Sequence, residues 1–418
     1  MLDIKDIRCH PDKYRGLIST RYTQAIDDLN LLIEYDTKRL LLLKEVEEGR
    51  TTRNQTAKEL GRKKASGEDI SKDIVNQGIV NKLLAEKENE LSELDQLFQN
   101  QLLLVPNIPS DSTPIGKSSV DNIILKEFGV KRTTSKPHWE IAEDLGLLDF
   151  ARGTKLSGSG FIVFTGEGAK LERKLLQYFI EQHVGKNKYK EVSTPFIVNK
   201  ACMQGTGQLP KFEEDMYCVG NNEYLIPTAE VPITNLHKNE VLKTVPTAYV
   251  GYSPCFRKEA GSAGKDTRGL LRVHQFDKIE LVQFVKPEES NATHNIMVSQ
   301  IETLLQELEL HYRVVELCTA DLGFSATKCY DLEVWAPGVQ AWLEVSSCSN
   351  FGDFQARRAN IKYKDADKTK YCHTLNGSGL ALPRIVAALL ETHLQEDGTI
   401  KLPLAFSKVF GSEKIEKP

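Results

Sequence analysis

The segment from residue 255 to residue 280, CFRKEAGSAGKDTRGLLRVHQFDKIE, places arginines, carboxylates and an aromatic residue at alternating positions. If residues 255–259 and 270–281 are β-strands, their two-residue period collects these side chains on one face of a ribbon. That face carries Arg257 and Glu259 from the first strand and Arg272, His274, Phe276 and Glu280 from the second. A solvated face gains nothing from a bare phenylalanine beside these charges. The pattern therefore favours a binding site for a polyphosphate nucleotide.

The loop of this ribbon, residues 260–269, is rich in glycine and too long for a tight hairpin turn. It holds two basic residues, Lys265 and Arg268, and one acidic residue, Asp266. A charged hairpin considered alone is most often a solvated surface, which is the alternative interpretation of the ribbon.

Two further segments could contribute oxygen atoms to the same site. Thr228 and Glu230 put a hydroxyl and a carboxylate two residues apart, although a surface turn is the simpler interpretation of this segment alone. Glu344 and Ser347 follow an apolar run, and they are plausible hard-oxygen ligands for Mg²⁺ at a phosphate. The alternative for this second segment is a hydroxyl-capped turn at a strand end.

A third segment, residues 376–384, combines NGSG with an arginine, Arg384, at the predicted start of a helix. The first amides of a helix and its dipole favour an anion, and the Arg384 side chain could reach a phosphate. A capping turn with a solvated arginine is the alternative.

The segments that must position these residues are predicted to be mostly consecutive strands, without regular alternation with helices. Residues 167–182 have the spacing of an amphipathic helix. The pattern predicts an α+β fold with a mostly antiparallel sheet. No GxxxxGK[ST] loop is present and no GxGxxG follows a strand, so a nucleotide would bind on the sheet itself. The predicted strands are residues 189–198, 223–225, 245–251, 270–285, 313–317, 330–334 and 340–345.

The N-terminal part has a different character, because residues 24–104 lack proline and are rich in good helix formers. Two apolar seams predict a coiled coil. Gly61, Ser66 and Gly67 predict a turn between two antiparallel helices of about 35 to 40 residues, each about 50 to 60 Å long. The seams are Ile26, Leu29, Ile33, Leu40 and Leu43, interrupted by Asp36, and Val80, Leu84, Leu91, Leu94 and Phe98, with Lys87 as a polar member.

The predicted tip of this helical arm is basic. Residues 50–64 hold six basic residues against one acid, Glu59. A dense basic segment is most often a solvated helix surface, and a long heptad segment is most often a dimerisation zipper or a spacer. The six are Arg50, Arg53, Lys58, Arg62, Lys63 and Lys64. The three prolines of residues 105–116 then form a linker, so we expect domains at residues 1–104 and 105–418.

Composition excludes several classes of protein. A net charge of −4 argues against indiscriminate nucleic-acid coating, and the longest aliphatic runs are far too short to span a bilayer. No presequence is visible at the N-terminus. Eight scattered cysteines without a CxxC pair predict free thiols in a reducing cytoplasm, and the absence of HExxH gives no indication of zinc.

Taken together, these segments resemble the seryl-tRNA synthetases of the bacterial type over essentially the whole chain. FRKEAGSAGKDTRGLLRVHQF is similar to motif 2 of that family, TLNGSGLALPR to motif 3, and YKEVSTPFIV around Pro195 to motif 1. LIPTAEVPITN, TGQLPKFEEDMY, KIELVQF and EVSSCSNFGDFQARR are also similar to family segments. Two departures are small: Pro383 stands where many relatives carry glycine, and residues 157–160, SGSG, match the usual SGxRF run loosely.

The resemblance implies roles for individual residues. Arg257 would bind the α-phosphate of ATP and the serine carboxylate, and Arg384 would bind the γ-phosphate. Arg257, Arg384 and Glu344 would be the catalytic residues. Glu259 and Phe276 would hold adenine, and Glu344 and Ser347 would hold Mg²⁺ with ATP. The implied ATP site is Arg257, Lys258, Glu259, Arg272, Phe276, Glu344, Val345, Ser346, Ser347 and Arg384. The implied serine site is Thr228, Ala229, Glu230, Arg257, Glu280, Asn376 and Ser378.

The resemblance also implies a class II antiparallel sheet, a homodimer, and an arm that grips the long variable arm of serine tRNA through its basic residues. The implied reaction forms seryl-adenylate from L-serine and ATP and transfers the seryl group to tRNA(Ser), and to tRNA(Sec) where a cell has it. Two alternatives stay open. One is a paralogue that loads an amino acid onto a carrier protein, and the other is a structural coiled-coil protein with an inactive synthetase domain.

Overall fold

The computed structural model describes residues 1–133, 135–259 and 268–417. Most of the predicted basic loop, including Lys265 and Asp266, lies outside these residues. The chain divides into two compact units, Leu2–Pro106 and Asn107–Pro418, the second joined by Met1. In the described part of the chain, no helix has the length and apolar character needed to cross a membrane.

The N-terminal unit consists of helices. The third and fourth pack along each other, and the turn between them contains Gly67 with φ of +78°, a left-handed conformation that glycine adopts readily. The last helix ends at Leu104, and Val105, which precedes Pro106, is extended because the residue before a proline avoids the helical conformation. The helices are α1 (Ile4–Cys9), α2 (Pro11–Ile18), α3 (Thr23–Ala65) and α4 (Ser71–Leu104).

The antiparallel helical hairpin was predicted, and Leu29, Leu84, Leu91 and Phe98 are buried in it. The prediction was wrong for other seam positions, since Leu40 and Val80 are exposed. The buried positions of α3 are instead Ala25, Leu29, Leu32, Asp36, Leu42 and Val46. Asp36 is therefore part of the seam rather than an interruption. It can be buried because the Arg8 guanidinium pairs with it.

The C-terminal unit contains both helices and strands. Its helices are α5 (His138–Asp144), α6 (Phe150–Ser157), α7 (Glu167–Gly185), α8 (Lys200–Thr206), α9 (Glu230–Asn235), α10 (Ser290–Glu307), α11 (Phe354–Ala359), α12 (Leu382–His393) and α13 (Leu404–Phe410). Its strands are β1 (Ile123–Phe128), β2 (Leu148–Asp149), β3 (Val163–Phe164), β4 (Lys190–Glu191), β5 (Ile197–Asn199), β6 (Cys218–Gly220), β7 (Glu223–Leu225), β8 (Val241–Leu242), β9 (Thr247–Phe256), β10 (Gln275–Val285), β11 (Tyr312–Glu316), β12 (Lys328–Ala336), β13 (Ala341–Asn350), β14 (Lys362–Asp365), β15 (Lys368–Tyr371), β16 (His373–Ala381), β17 (Ile400–Lys401) and β18 (Lys414–Ile415).

Eight of the described strands form the main sheet, in the order β1-β11-β12-β13-β16-β10-β9-β4. All neighbours in it are antiparallel except β4 and β9, as expected for an α+β fold. The single strand predicted over residues 189–198 was wrong. It is divided into β4 and β5, and β5 pairs with β7 in a small separate sheet.

Alternation along β10 separates the core from the open face. Ile279 and Leu281 pack into the main core, which also contains residues of α7, α10 and α12. Phe276, Lys278 and Glu280 occupy the alternate positions and so point to the opposite face. Further along the strand, Val282 and Phe284 are covered on that face by residues of α11, β8 and β14. The uncovered part of the sheet thus begins where the polar residues of β10 lie.

Candidate active site

The ribbon is shorter than predicted. β9 ends at Phe256, opposite Gln275 at the start of β10, so Arg257 and Glu259 follow the first strand and Arg272 and His274 precede the second. The His274 ring lies 5.3 Å from the Phe161 ring, and the residue does not line the central cavity described below. The prediction that His274 shares the site face was wrong, because the strand period does not extend beyond Gln275.

The remaining residues of the ribbon do come together. The Arg257 guanidinium lies 5.2 Å from the centre of the Phe276 ring, within the range of a cation–π contact. Its Nε donates to the carbonyl oxygen of Pro227 at 3.3 Å. Arg272 forms an ion pair with Glu259, whose φ of +51° is unusual for a residue with a side chain.

A central cavity lies against these residues and encloses about 530 Å³, part of it open to solvent. The ribbon contributes one wall, β13 and β16 contribute the floor, and the first turn of α12 closes one end. Pro383 fits this turn well because its fixed φ suits the start of a helix. The lining residues are Arg257, Glu259, Leu270, Leu271, Arg272, Val273, Phe276, Lys278, Glu344, Val345, Ser346, Ser378, Ala381, Pro383 and Arg384.

Arg384 lies at the end of the cavity formed by α12. Its Nε donates to the carbonyl oxygen of Leu271 at 3.2 Å, and its Nη1 donates to that of Glu344 at 2.7 Å. The Glu344 carboxylate is 3.7 Å from the same guanidinium and is exposed. Residues 376–380, which lead into this helix, belong to strand β16.

A buried polar cluster adjoins the cavity. Glu280 is fully buried and forms an ion pair with Lys278. Thr228 Oγ1 and Asn376 Nδ2 each donate to the Glu280 carboxylate at 3.1 Å. Lys278 Nζ also donates to Thr228 Oγ1 at 2.9 Å and to Ser378 Oγ at 3.3 Å. The cluster consists of Thr228, Glu230, Lys278, Glu280, Gln355, Asn376 and Ser378.

Glu230 is the carboxylate of this cluster that forms no ion pair among the described residues. Its Oε1 accepts a hydrogen bond from Gln355 Nε2 at 2.6 Å, and Gln355 is itself held by Thr374. Burial, together with the nearby Glu280 carboxylate, raises the pKa of Glu230 to about 7. The Asn376 Oδ1 atom is also buried and has no hydrogen-bond partner within the described chain. The cluster therefore has one more carboxylate than it has ammonium groups, and a ligand cation could pair with the extra carboxylate.

The sequence prediction missed Lys278 and Gln355. Both stand in segments that resemble the family, KIELVQF and the segment that ends in DFQARR. Lys278 could have been found from the strand period, because it lies on β10 midway between Phe276 and Glu280. Gln355 had no such signal, because it reaches Glu230 from a helix 125 residues away.

A second group of oxygen atoms lies where β12 and β13 pair. Asp331 is directly opposite Ser347, and a bulge in β13 brings Glu344 to the same face. Burial, followed by repulsion from Glu344, raises the pKa of Asp331 well above its usual range. The Ser347 hydroxyl is also 3.1 Å from the Cys329 sulfur. Among the described residues, no group of three or more His, Cys, Asp or Glu side chains is arranged to hold a metal ion.

Other predicted residues have different surroundings. Ala229 and Val345 are buried and pack in hydrophobic cores, although Val345 also reaches the cavity. Lys258 is exposed, with its Nζ 5.9 Å from the centre of the Tyr217 ring, and does not line the cavity. Ser346 donates to the carbonyl oxygen of Ser378 at 2.6 Å.

The basic segment lies on the last third of α3. Arg50 forms an ion pair with Glu88 and Lys63 forms one with Asp73, so two of the six predicted RNA contacts are compensated within the unit. Arg50, Lys58, Arg62 and Lys64 are exposed, and Arg53 and Lys63 are half-buried.

Comparison with known proteins agrees with this architecture. Residues 212–393 match the family model of the tRNA synthetase class II core domain (G, H, P, S and T). Residues 1–109 match that of the seryl-tRNA synthetase N-terminal domain. The sheet, the cavity on its open face and the matched core define a class II aminoacyl-tRNA synthetase.

Full-length relatives narrow this class. The chain is 48% identical to a serine–tRNA ligase of Methylacidiphilum infernorum, covering 99% of this chain and all of that protein. It is 37% identical to the seryl-tRNA synthetase of Pyrococcus horikoshii, solved in complex with ATP, with a TM-score of 0.93 and full coverage of both chains. A cytoplasmic enzyme of Naegleria fowleri, solved with AMP, is 27% identical with a TM-score of 0.84, covering 97% and 96% of the two chains. The chain belongs to the serine–tRNA ligase family.

Proposed function

We propose that this chain activates L-serine with ATP and transfers the seryl group to tRNA(Ser). The observation that supports this most directly is the division of the site. Half-exposed arginines surround a cavity, and a buried cluster beside it holds two carboxylates but only one ammonium group. A polyphosphate suits the first part and a small zwitterion suits the second.

In this proposal the serine ammonium group binds near Glu230. Glu280 already has a cationic partner in Lys278, whereas Glu230 forms no ion pair in the described chain, and burial and the Glu280 carboxylate raise its pKa. Glu280, already held by Thr228 and Asn376, accepts the hydroxyl proton of serine. Alanine and glycine would leave this buried carboxylate with an unused acceptor, and sites of this kind reject such analogues by roughly 10⁴ or more.

Activation requires the serine carboxylate to attack the α-phosphorus of ATP, forming seryl-adenylate and releasing pyrophosphate. The nucleophile is already ionised, so the protein must mainly position the reactants and neutralise charge. Arg257 lies between the cavity and the Thr228 segment and could neutralise both the carboxylate and the α-phosphate. Arg384, at the other end of the cavity, could hold the γ-phosphate, and Phe276 offers a face to adenine.

The residues fit Mg²⁺ bound with ATP. Glu344 and Ser347 supply the hard oxygen atoms that this ion prefers, and a divalent cation would relieve the repulsion between Glu344 and Asp331. When bound, Mg²⁺ would neutralise phosphate charge. We expect Glu344 and Ser347 to hold it.

The N-terminal unit is proposed to bind the long variable arm of tRNA(Ser), and of tRNA(Sec) where a cell has it, through the exposed basic residues of α3. Such binding should weaken steeply with salt. We further propose a homodimer, on the resemblance around Pro195, and a cytoplasmic location, supported by eight cysteines that are all free thiols.

ATP–pyrophosphate exchange with a panel of amino acids, followed by charging of tRNA(Ser), tests the proposal. We expect exchange with serine alone and charging of tRNA(Ser). Exchange without charging, together with loading of a carrier protein, would indicate the paralogue. No exchange with any amino acid would indicate an inactive synthetase domain.

The arm has its own test. Gly49 lies opposite Leu84 on the neighbouring helix, so residues 50–83 can be replaced by a short turn. The hydrophobic cluster of Leu42, Val46, Leu84 and Leu91 would remain. We expect serine-dependent exchange to persist and charging to fall below detection. Undiminished charging would show that the arm is only a spacer.

A further inference from the structure

Outside the predicted site, a fully buried histidine–glutamate pair contacts the end of the ribbon loop. His138 begins α5 and Glu391 lies near the end of α12, and neither side chain is exposed. His138 Nδ1 and Glu391 Oε1 are 2.7 Å apart, and the main-chain N–H of His138 donates to the same oxygen at 2.9 Å. The other carboxylate oxygen accepts from the N–H of Gly338 at 2.7 Å. Glu391 therefore holds the histidine ring in place.

The ring in turn holds the main chain of the loop. The N–H of Leu270 donates to His138 Nε2 at 2.9 Å. A backbone N–H can only donate, so Nε2 must be the acceptor and the ring hydrogen must be on Nδ1, where it faces Glu391. Only this neutral tautomer satisfies both contacts.

Two neighbouring contacts show how closely the loop approaches. Gly269 has φ of +71°, and a Cβ atom there would lie 2.2 Å from His138 Nε2. The Arg268 guanidinium lies 4.7 Å from the centre of the Trp139 ring, in the range of a cation–π contact. A side chain at position 269 would have to push the loop away from the histidine.

The segment held in this way forms part of the central cavity. Residues 270–273 line it, and Arg384 Nε donates to the carbonyl oxygen of Leu271. Helix α12 thus holds this wall at two points, directly through Arg384 and through Glu391 and His138.

We propose that His138 and Glu391 are positioning residues for ATP. They hold residues 270–273 in the place where the wall of the cavity, with Arg272 and the contact to Arg384, matches the nucleotide. This inference rests on the proposed function. It predicts an effect on ATP and not on serine, because the buried polar cluster makes none of these contacts.

Two substitutions separate the contacts of the ring. In His138→Gln the side-chain oxygen can still accept from the Leu270 N–H. In His138→Asn the amide can still donate to Glu391, but the Leu270 N–H is left without an acceptor. A buried unsatisfied N–H costs on the order of a factor of ten or more in the equilibrium that requires it. In serine-dependent exchange we expect His138→Asn to raise KM for ATP about tenfold and His138→Gln less than threefold, with KM for serine within twofold of the native value.

A second pair of variants leaves the histidine intact. Gly269→Ala should raise KM for ATP about tenfold, because the new methyl group displaces the loop. Gly146→Ala is its control, because Gly146 also has positive φ, +66°, but has open space around it. This variant should stay within twofold of the native KM for ATP.

Three results would overturn the inference. They are an unchanged KM for ATP in Gly269→Ala or in folded His138→Asn, equal effects of the asparagine and glutamine variants, or a parallel rise in KM for serine. If the native chain showed no exchange at all, the proposed function would fall and this inference with it.

Discussion

The two parts of the site differ in how their charges are compensated. In the buried polar cluster, Lys278 and Glu280 neutralise each other, and hydroxyl and amide groups fill most of the remaining positions. At the cavity, Arg257 and Arg384 are half-exposed, and each donates to main-chain carbonyl oxygens. A phosphate offers an arginine an opposite charge and a bidentate geometry that a main-chain carbonyl oxygen lacks, so the arginines have more to gain from a ligand. Apart from Glu230, the first part compensates its own charges, and the second part has charges that a nucleotide would compensate.

This difference predicts that substitutions in the buried cluster affect stability and amino-acid selectivity, whereas substitutions at the cavity affect nucleotide use in a stable protein.

The largest effect is expected for Glu280→Ala. The buried ammonium group of Lys278 would lose its partner, which costs roughly 3–5 kcal/mol of unfolding free energy. Serine-dependent exchange should fall by about 10³-fold or more, and the preference for serine over alanine should narrow. Exchange with both amino acids and urea unfolding measure these effects. Glu280→Gln, which keeps the shape, is the control. An unchanged serine-to-alanine ratio would remove Glu280 from recognition of the hydroxyl group.

Arg384→Ala should behave in the opposite way. Its ion pair with Glu344 is partly exposed, and such pairs contribute about 0–1 kcal/mol to stability. We expect kcat/KM for ATP to fall about 100-fold, with the unfolding free energy within about 1 kcal/mol of the native value. Arg152→Ala, which breaks an exposed pair with Asp149, is a matched control. Marked destabilisation by Arg384→Ala would contradict the division.

Glu230 gives the buried cluster a pH dependence. Its pKa of about 7 lies above the usual range, so the empty site holds a neutral carboxyl group below pH 7 and a carboxylate above it. An ammonium ligand requires the carboxylate, so binding must displace a proton at low pH. We expect KM for serine to rise about tenfold between pH 8 and pH 6, and KM for ATP to change much less. Exchange measured across this range tests the expectation. Glu230→Gln should remove the pH dependence, and a native KM for serine that is flat with pH would contradict the assignment.

The sequence predicted the two parts of the site unequally. Arg257, Phe276 and Arg384 could be predicted because each lies in a short segment with a recognisable charge pattern. The charge balance of the buried cluster could not be predicted, because Gln355 and Glu230 come into contact only through tertiary packing.

The fold shows the same limit. The helical hairpin and the antiparallel sheet follow from local periodicity. By contrast, the burial of Asp36 depends on Arg8, 28 residues earlier in the chain. The ends of the ribbon strands were overestimated because charges alternate on Arg257, Glu259, Arg272 and His274, although the pairing ends with the bond from the Arg257 N–H to the His274 carbonyl oxygen. Alternation of residue types predicts a strand only where the backbone has a neighbour to pair with.

The smallest effect, and the sharpest test of the division, is expected for Phe276→Leu. Phe276 lies on β10 two residues from Lys278, which belongs both to the cavity lining and to the buried cluster. Leucine keeps the apolar character but removes the ring face, including the contact with Arg257, which is worth about 0.5–1 kcal/mol at a partly exposed site. We expect KM for ATP to rise about fivefold, with KM for serine and the unfolding free energy nearly unchanged. Phe276→Tyr retains the ring and should be close to native. If Phe276→Leu raised both KM values equally, the two parts would be energetically coupled through β10, and the buried cluster could not be regarded as formed independently of the nucleotide.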